Sequence, residues 1–216
     1  MFRIPLFVTA TLAALSLAQP ATAQIHPNAE QVQPVLSGMQ APSFSATAAD
    51  GSTYSFTADA RDKPAIITFY RGGWCPYCNA HLMEMRHIEQ DLIDMGYELI
   101  FLSADRPELM AEAVSEDTSL PYTLLSDASM EVSQKFGIAF RVDDETFDKY
   151  KNQYGLDLEE KSGYDHHALP APAVFIVDAG GTVVFQYVNP DYSVRISPEV
   201  LVAAAKTMPG RKLARN

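Results

Sequence analysis

Only two cysteines occur in the 216-residue chain, Cys75 and Cys78, and they stand together in the run FYRGGWCPYC. Two residues separate them. A disulfide across so short a loop removes little chain entropy and stabilises a fold weakly, so the pair reads as chemistry rather than as a staple. One thiolate attacks; the other, a helical turn on, resolves the mixed disulfide or sulfenic acid that results. A zinc site needs four ligands, and only Cys75, Cys78 and His81 are near. Soft Cu(I) ligands cluster after the cysteines at His81, Met83, Met85 and His87. On a helix only His81 and Met85 of these share a face, and Met85 also belongs to an apolar stripe. No metal and no cofactor are therefore expected.

Chemistry at this pair needs a strand that ends at it and a helix that begins there. Ala65–Tyr70 is a continuous β-branched and aromatic run, as expected of a central strand buried on both faces. From Pro76 the period changes: Leu82, Met85, Ile88, Leu92 and Met95 recur at three and four, predicting one helix that Gly96 ends. Pro76 suits the first helical position. Cys75 then sits at the helix N-terminus, where unpaired N–H groups and the dipole favour a thiolate. Arg71 either raises the thiolate fraction by its charge or is an exposed loop residue. Trp74 either shields the pair and faces a partner or belongs to the core. Gly72 and Gly73 let the turn bend. Pro172 opens a later strand; in such folds a proline there is often cis, turning the preceding carbonyl toward a substrate. The other reading of Pro170 and Pro172 is an extended linker, with the thioredoxin topology favouring the first.

Around this unit the alternation continues. Residues 44–56 read as a hairpin turning at Asp50-Gly51. Strands are predicted at 97–102 and 122–125, with helices opening at Arg106-Pro107 and over 129–136. The chain then closes with a hairpin around Asp178-Ala179-Gly180-Gly181 and a last helix capped by Ser197. A βαβ half followed by a ββα half is the thioredoxin arrangement: α/β, with a mixed central sheet flanked by helices. An N-terminal hairpin and an acidic insertion are added to it. The insertion, 140–167, carries Phe147, Tyr150 and Tyr154 at the spacing of one amphipathic helix, and its His166-His167 pair reads as solvated.

The net charge is −11, a balance that repels phosphate backbones and anionic lipid, so nucleic acid is not an expected partner. Arg3, an apolar stretch to Ala18 and the small-x-small triplet Ala21-Thr22-Ala23 form a cleavable export signal. The expected organisation is a signal peptide over 1–23, a mobile leader over 24–38, one domain over 39–209 and a tail over 210–216. The expected location is the periplasm of a Gram-negative cell or the medium, with no stable membrane insertion of the mature chain.

Three runs, FYRGGWCPYC, LPAPAVFIVDAGG and YVNPDYSVRISPE, together resemble the peroxiredoxin-like branch of the alkyl hydroperoxide reductase/thiol-specific antioxidant (AhpC/TSA) family, over about residues 38–208. The resemblance implies a thioredoxin fold and reduction of hydroperoxides or disulfides by active-site thiols. The family's P-x-x-x-T-x-x-C pattern is altered here. Counted from Phe69, its peroxide-attacking cysteine falls on Cys78, its threonine on Cys75 and its proline on Arg71. Its arginine falls near Pro172. The C-P-Y-C tetrapeptide is also that of the much shorter glutaredoxins.

The expectation is an antioxidant thiol oxidoreductase that cycles a Cys75/Cys78 dithiol and disulfide. Arg71, Trp74, Pro76 and Pro172 support the site. Its partners are a hydroperoxide or disulfide substrate and an external thiol donor, thioredoxin-like or glutathione-like. The alternatives are a disulfide reductase without peroxidase activity and a copper-delivery protein that uses the cysteine pair. Which cysteine attacks is left open.

Overall fold

The computed structural model describes residues 24–114 and 121–208. The expected signal peptide and the C-terminal tail lie outside them. Nine strands are named in chain order: β1 Phe44–Ala48, β2 Thr53–Phe56, β3 Ala65–Tyr70, β4 Glu98–Ser103, β5 Thr123–Ser126, β6 Ala139–Arg141, β7 Ala168–Pro170, β8 Ala173–Val177 and β9 Val183–Val188. The helices are α1 Pro76–Arg86, α2 Glu89–Asp94, α3 Pro107–Val114, α4 Glu131–Lys135, α5 Asp144–Tyr154, α6 Leu158–Ser162 and α7 Pro198–Thr207.

Seven strands form one sheet in the order β2-β1-β5-β4-β3-β8-β9. β3 pairs in parallel with β4 and antiparallel with β8, so the sheet is mixed and β3 lies in its interior. Every residue of β3 is buried. Its side chains alternate between the two faces. Ile67 and Phe69 join Phe44, Phe136 and Phe175 on one side. Ile66 and Tyr70 join both cysteines, Met85, Leu92 and Leu201 on the other. The cysteines therefore belong to the layer in which α1, α2 and α7 cover the sheet.

The expected hairpins and parallel crossovers are present, with three departures. The helix predicted from Pro76 to Gly96 is two helices. His87 N–H bonds to Glu84 O and Ile88 N–H to Met85 O, so the ladder tightens to three-residue spacing there. The apolar stripe survives the break, because Leu82, Ile88 and Met95 still pack on the sheet-side core. The stretch read as a mobile leader is tied down: His26, Gln33, Val35 and Gly38 donate N–H groups to Ala139, Gly137, Phe136 and Val183 carbonyls. These bonds satisfy backbone groups that a solvated tail would leave to water.

The insertion is the third. The short ribbon β6–β7 closes it at its base. Asp143 caps α5 and Asp157 caps α6, each through its carboxylate. Its own apolar cluster gathers Val142, Phe147, Leu158 and Leu169, with Trp74 and Tyr150 packed against it. The histidines read as solvated are both hydrogen-bonded. His167 stacks on Phe147 at 3.8 Å between ring centroids and hydrogen bonds to Glu159 at 2.6 Å. His166 meets the Ala128 carbonyl at 2.8 Å.

Candidate active site

β3 ends at Tyr70, and the turn from Arg71 to Trp74 delivers Cys75 as the N-cap of α1, with Pro76 at its first position. The turn is held from the neighbouring strand. Asp105, just past β4, accepts the Gly73 N–H at 2.6 Å and the Ser103 hydroxyl at 3.1 Å. Gly72 has φ +143, and a Cβ there would collide with Trp74 Nε1 and Asp105 Oδ1. The glycine is therefore required by a close approach as well as by its backbone angle.

Both cysteines are free thiols and both are buried. They differ in electrostatics. Cys75 is held down to about 6, first by a hydrogen bond from Cys78, with the Cys78 backbone N–H and the charges of Arg71 and Arg195 also favouring its thiolate against burial. The Cys78 thiol is pushed up by that same bond, by burial and by the Cys75 charge. The arrangement is a Cys78 S–H donating to a Cys75 thiolate at a helix N-terminus. Cys75 is only 1% exposed, yet it lines a cavity of about 490 Å³ together with Tyr77 and Tyr192.

Arg71 is not an exposed loop residue. It is 3% exposed, and its Nη2 donates to the Tyr150 hydroxyl of α5 at 2.6 Å. Its guanidinium carbon lies 4.2 Å from the Tyr192 ring centroid, 5.3 Å from that of Trp74 and 5.6 Å from that of Tyr150. Trp74 is half-buried, packs with two apolar clusters and lines the cavity. Pro76 lines the cavity too.

Pro172 is apart from it. It stands in a small recess with His81, Tyr187 and Arg195. None of the described peptide bonds is cis, so the expected cis bond at Pro172 is not found. Its carbonyl accepts the Asn189 N–H, which ties it into the β8–β9 hairpin. The copper-type residues do not converge. His81 and Met85 are buried, whereas Met83 and His87 are exposed. Burial beside Arg195 pushes His81 down to about 4, so it is neutral at pH 7.

Two contributors were not apparent in the sequence. Arg195, in the loop between β9 and α7, donates from Nη2 to Cys78 Sγ at 3.3 Å. It lies within the YVNPDYSVRISPE run, but no periodicity there marks it. The insertion supplies Tyr150, Tyr154, Leu156 and Lys161 to the cavity wall. Its aromatic spacing was a signal for the helix, not for where the helix docks.

The AhpC/TSA family profile matches residues 37–186. "Putative peroxiredoxin bcp" of Haemophilus influenzae is 30% identical over 107 residues, covering 50% of this chain and 68% of that protein. "Peroxiredoxin Q, chloroplastic" of Gentiana triflora is 26% identical over 155 residues, covering 72% of this chain and 60% of that protein. A solved peroxiredoxin-like protein from Aquifex aeolicus superposes with a TM-score of 0.61 at 19% identity, over 81% of this chain and 88% of its own. Peroxidoxin BcpB from Mycobacterium tuberculosis gives 0.57 at 17% identity, over 79% and 96%. The two structures establish the fold. The chain belongs to the AhpC/TSA family, and it is a thiol-dependent oxidoreductase built on the thioredoxin fold.

Proposed function

We propose that the protein is a dithiol peroxidase in which Cys75 attacks and Cys78 resolves. The Cys75 thiolate attacks a hydroperoxide oxygen. An S–O bond forms, the O–O bond breaks, and the departing alkoxide takes a proton to leave as alcohol or water. The sulfenic acid on Cys75 is then attacked by the Cys78 sulfur, which gives a disulfide and releases water. An external thiol donor, thioredoxin-like or glutathione-like, returns the two electrons. The observation that carries this assignment is the asymmetry of the pair. Cys75 lines the open cavity with its thiol held down to about 6, while Cys78 lies behind it with its thiol pushed up.

The reverse order has two observations in its favour. Arg195 donates to Cys78 Sγ, and Cys78 occupies the position that the family pattern gives to its peroxide-attacking cysteine. The single variants Cys75→Ser and Cys78→Ser, treated with hydroperoxide and a sulfenic-acid-trapping dione, separate the two. The proposal expects the adduct in Cys78→Ser on Cys75; an adduct confined to Cys75→Ser on Cys78 reverses it. Peroxide and a small disulfide assayed side by side distinguish this enzyme from a disulfide reductase without peroxidase activity.

The reading includes export through the N-terminal signal to the periplasm or the medium. N-terminal sequencing of the mature protein is expected to start at Gln24.

A further inference from the structure

Arg71 is a buried cation whose one nearby opposite charge is the Cys75 thiolate. Among the described residues no carboxylate lies within ion-pair distance of it, and its Nε has no hydrogen-bond partner. The rings of Trp74, Tyr150 and Tyr192 and one phenolic oxygen offset its desolvation only in part. The guanidinium sits in the wall of the cavity that Cys75 lines. That cavity, about 490 Å³, is far larger than hydrogen peroxide needs, and five of its eleven lining residues are aromatic. Lys161 adds a second positive group at the edge, shared with Glu160 at 3.6 Å. On a chain of net charge −11, this is a local positive site inside an acidic surface.

We propose that the cavity selects substrates that carry a carboxylate on an apolar or aromatic body, with the carboxylate meeting Arg71 and the reactive oxygen or sulfur facing Cys75. A planar, buried guanidinium is suited to a carboxylate, and a low-dielectric wall strengthens that pairing. The carboxylate supplies the hydrogen-bond acceptor that the Arg71 guanidinium lacks at Nε, and the rings take the rest of the molecule. The proposal deepens the preceding reading and rests on Cys75 being the thiol that meets substrate. The ligand's reactive group is either a hydroperoxide or a disulfide, which share this recognition chemistry.

The test starts with unreactive ligands and the reduced wild-type protein. Trp74 is the only tryptophan in the chain and lines the cavity, so its fluorescence reports occupancy. Titration with 3-phenylpropanoate at constant ionic strength is expected to saturate at least tenfold more tightly than titration with 3-phenylpropanamide. Bound acid is expected to slow alkylation of Cys75 in proportion to occupancy. In Arg71→Gln the two ligands are expected to bind equally.

Should the amide bind as tightly as the acid in the wild type, the carboxylate claim is overturned. Absence of saturable binding by either overturns the site. These readouts need no turnover, so they stand even if Cys78 proves to be the attacking thiol, and they need no variant if Arg71→Gln does not fold. Turnover of an aryl hydroperoxide and an aryl disulfide, each as carboxylate and neutral parent, then assigns the source. The class whose carboxylate is preferred at least tenfold, through KM, is the substrate; preference in neither class overturns the proposal.

Discussion

Arg195 Nη2 donates to Cys78 Sγ across 3.3 Å, from a loop 117 residues further along the chain. Cys78 thus has a guanidinium hydrogen-bonded to its sulfur, whereas Cys75 meets Arg195 as a charge. A thiol that burial and a neighbouring thiolate hold protonated needs such a partner when its turn to attack comes.

Replacing Arg195 by glutamine is therefore expected to slow resolution more than the first attack. A hydrogen bond to a charged group is worth roughly 1.5–3 kcal/mol, so the Cys75 sulfenic acid or mixed disulfide should persist about ten- to a hundredfold longer. Stopped-flow fluorescence with one equivalent of oxidant separates the two phases. A slowed first phase with an unchanged second would assign Arg195 to the attack instead.

The pH dependence follows from the direction of the Cys75 shift. A thiol held below its ordinary value of 9.0 is reactive above its folded value and loses reactivity as pH falls through about 6. Alkylation of Cys75 by iodoacetamide should show that midpoint. In Cys78→Ala, where the principal hydrogen bond to the thiolate is gone, the midpoint should move up toward the ordinary value. Cys78→Ser keeps an O–H donor and should move less.

The turn before Cys75 offers a paired test of strain. Gly72 and Gly51 both have positive φ, but a Cβ at Gly51 meets nothing within 4 Å, whereas one at Gly72 strikes Trp74 and Asp105. Gly51→Ala should cost about 1–2 kcal/mol, the penalty of the backbone conformation alone. Gly72→Ala should add roughly 1–3 kcal/mol of overpacking and lower activity with it. Urea unfolding of both variants measures the difference.

Tyr150 ties the insertion to the site through its hydroxyl, which accepts from Arg71 at 2.6 Å. Tyr150→Phe keeps the ring and leaves a buried guanidinium nitrogen without that partner. The expected cost is about 1–3 kcal/mol of stability. KM for a bulky organic hydroperoxide should rise while kcat for hydrogen peroxide stays near the wild-type value, and steady-state kinetics with both oxidants reads the split.

Much of the fold was legible because local pattern and burial coincide. The run Ala65–Tyr70 is β-branched and aromatic after its first residue, carries no charge, and is an interior strand buried along its whole length. The stripe from Leu82 to Met95 was legible as a face but not as one helix, because hydrophobic spacing does not record the three-residue hydrogen bonds at His87 and Ile88. Pro172 was read as a cis residue of the site; its bond is trans, its carbonyl is used by the hairpin, and it stands in a recess with Arg195 instead.

Legible in the residues alone were the cysteine pair, its place between a strand and a helix N-terminus, and the family. Each of these depends on residues close together in the chain. Only the tertiary structure decided which groups surround the two sulfurs. It brought Asp105 under the turn, Arg195 to Cys78, and Tyr150 to Arg71 across 79 residues. The physical reason is that pKa and selectivity depend on distance and burial in space, and neither is written in the spacing of residues along a chain.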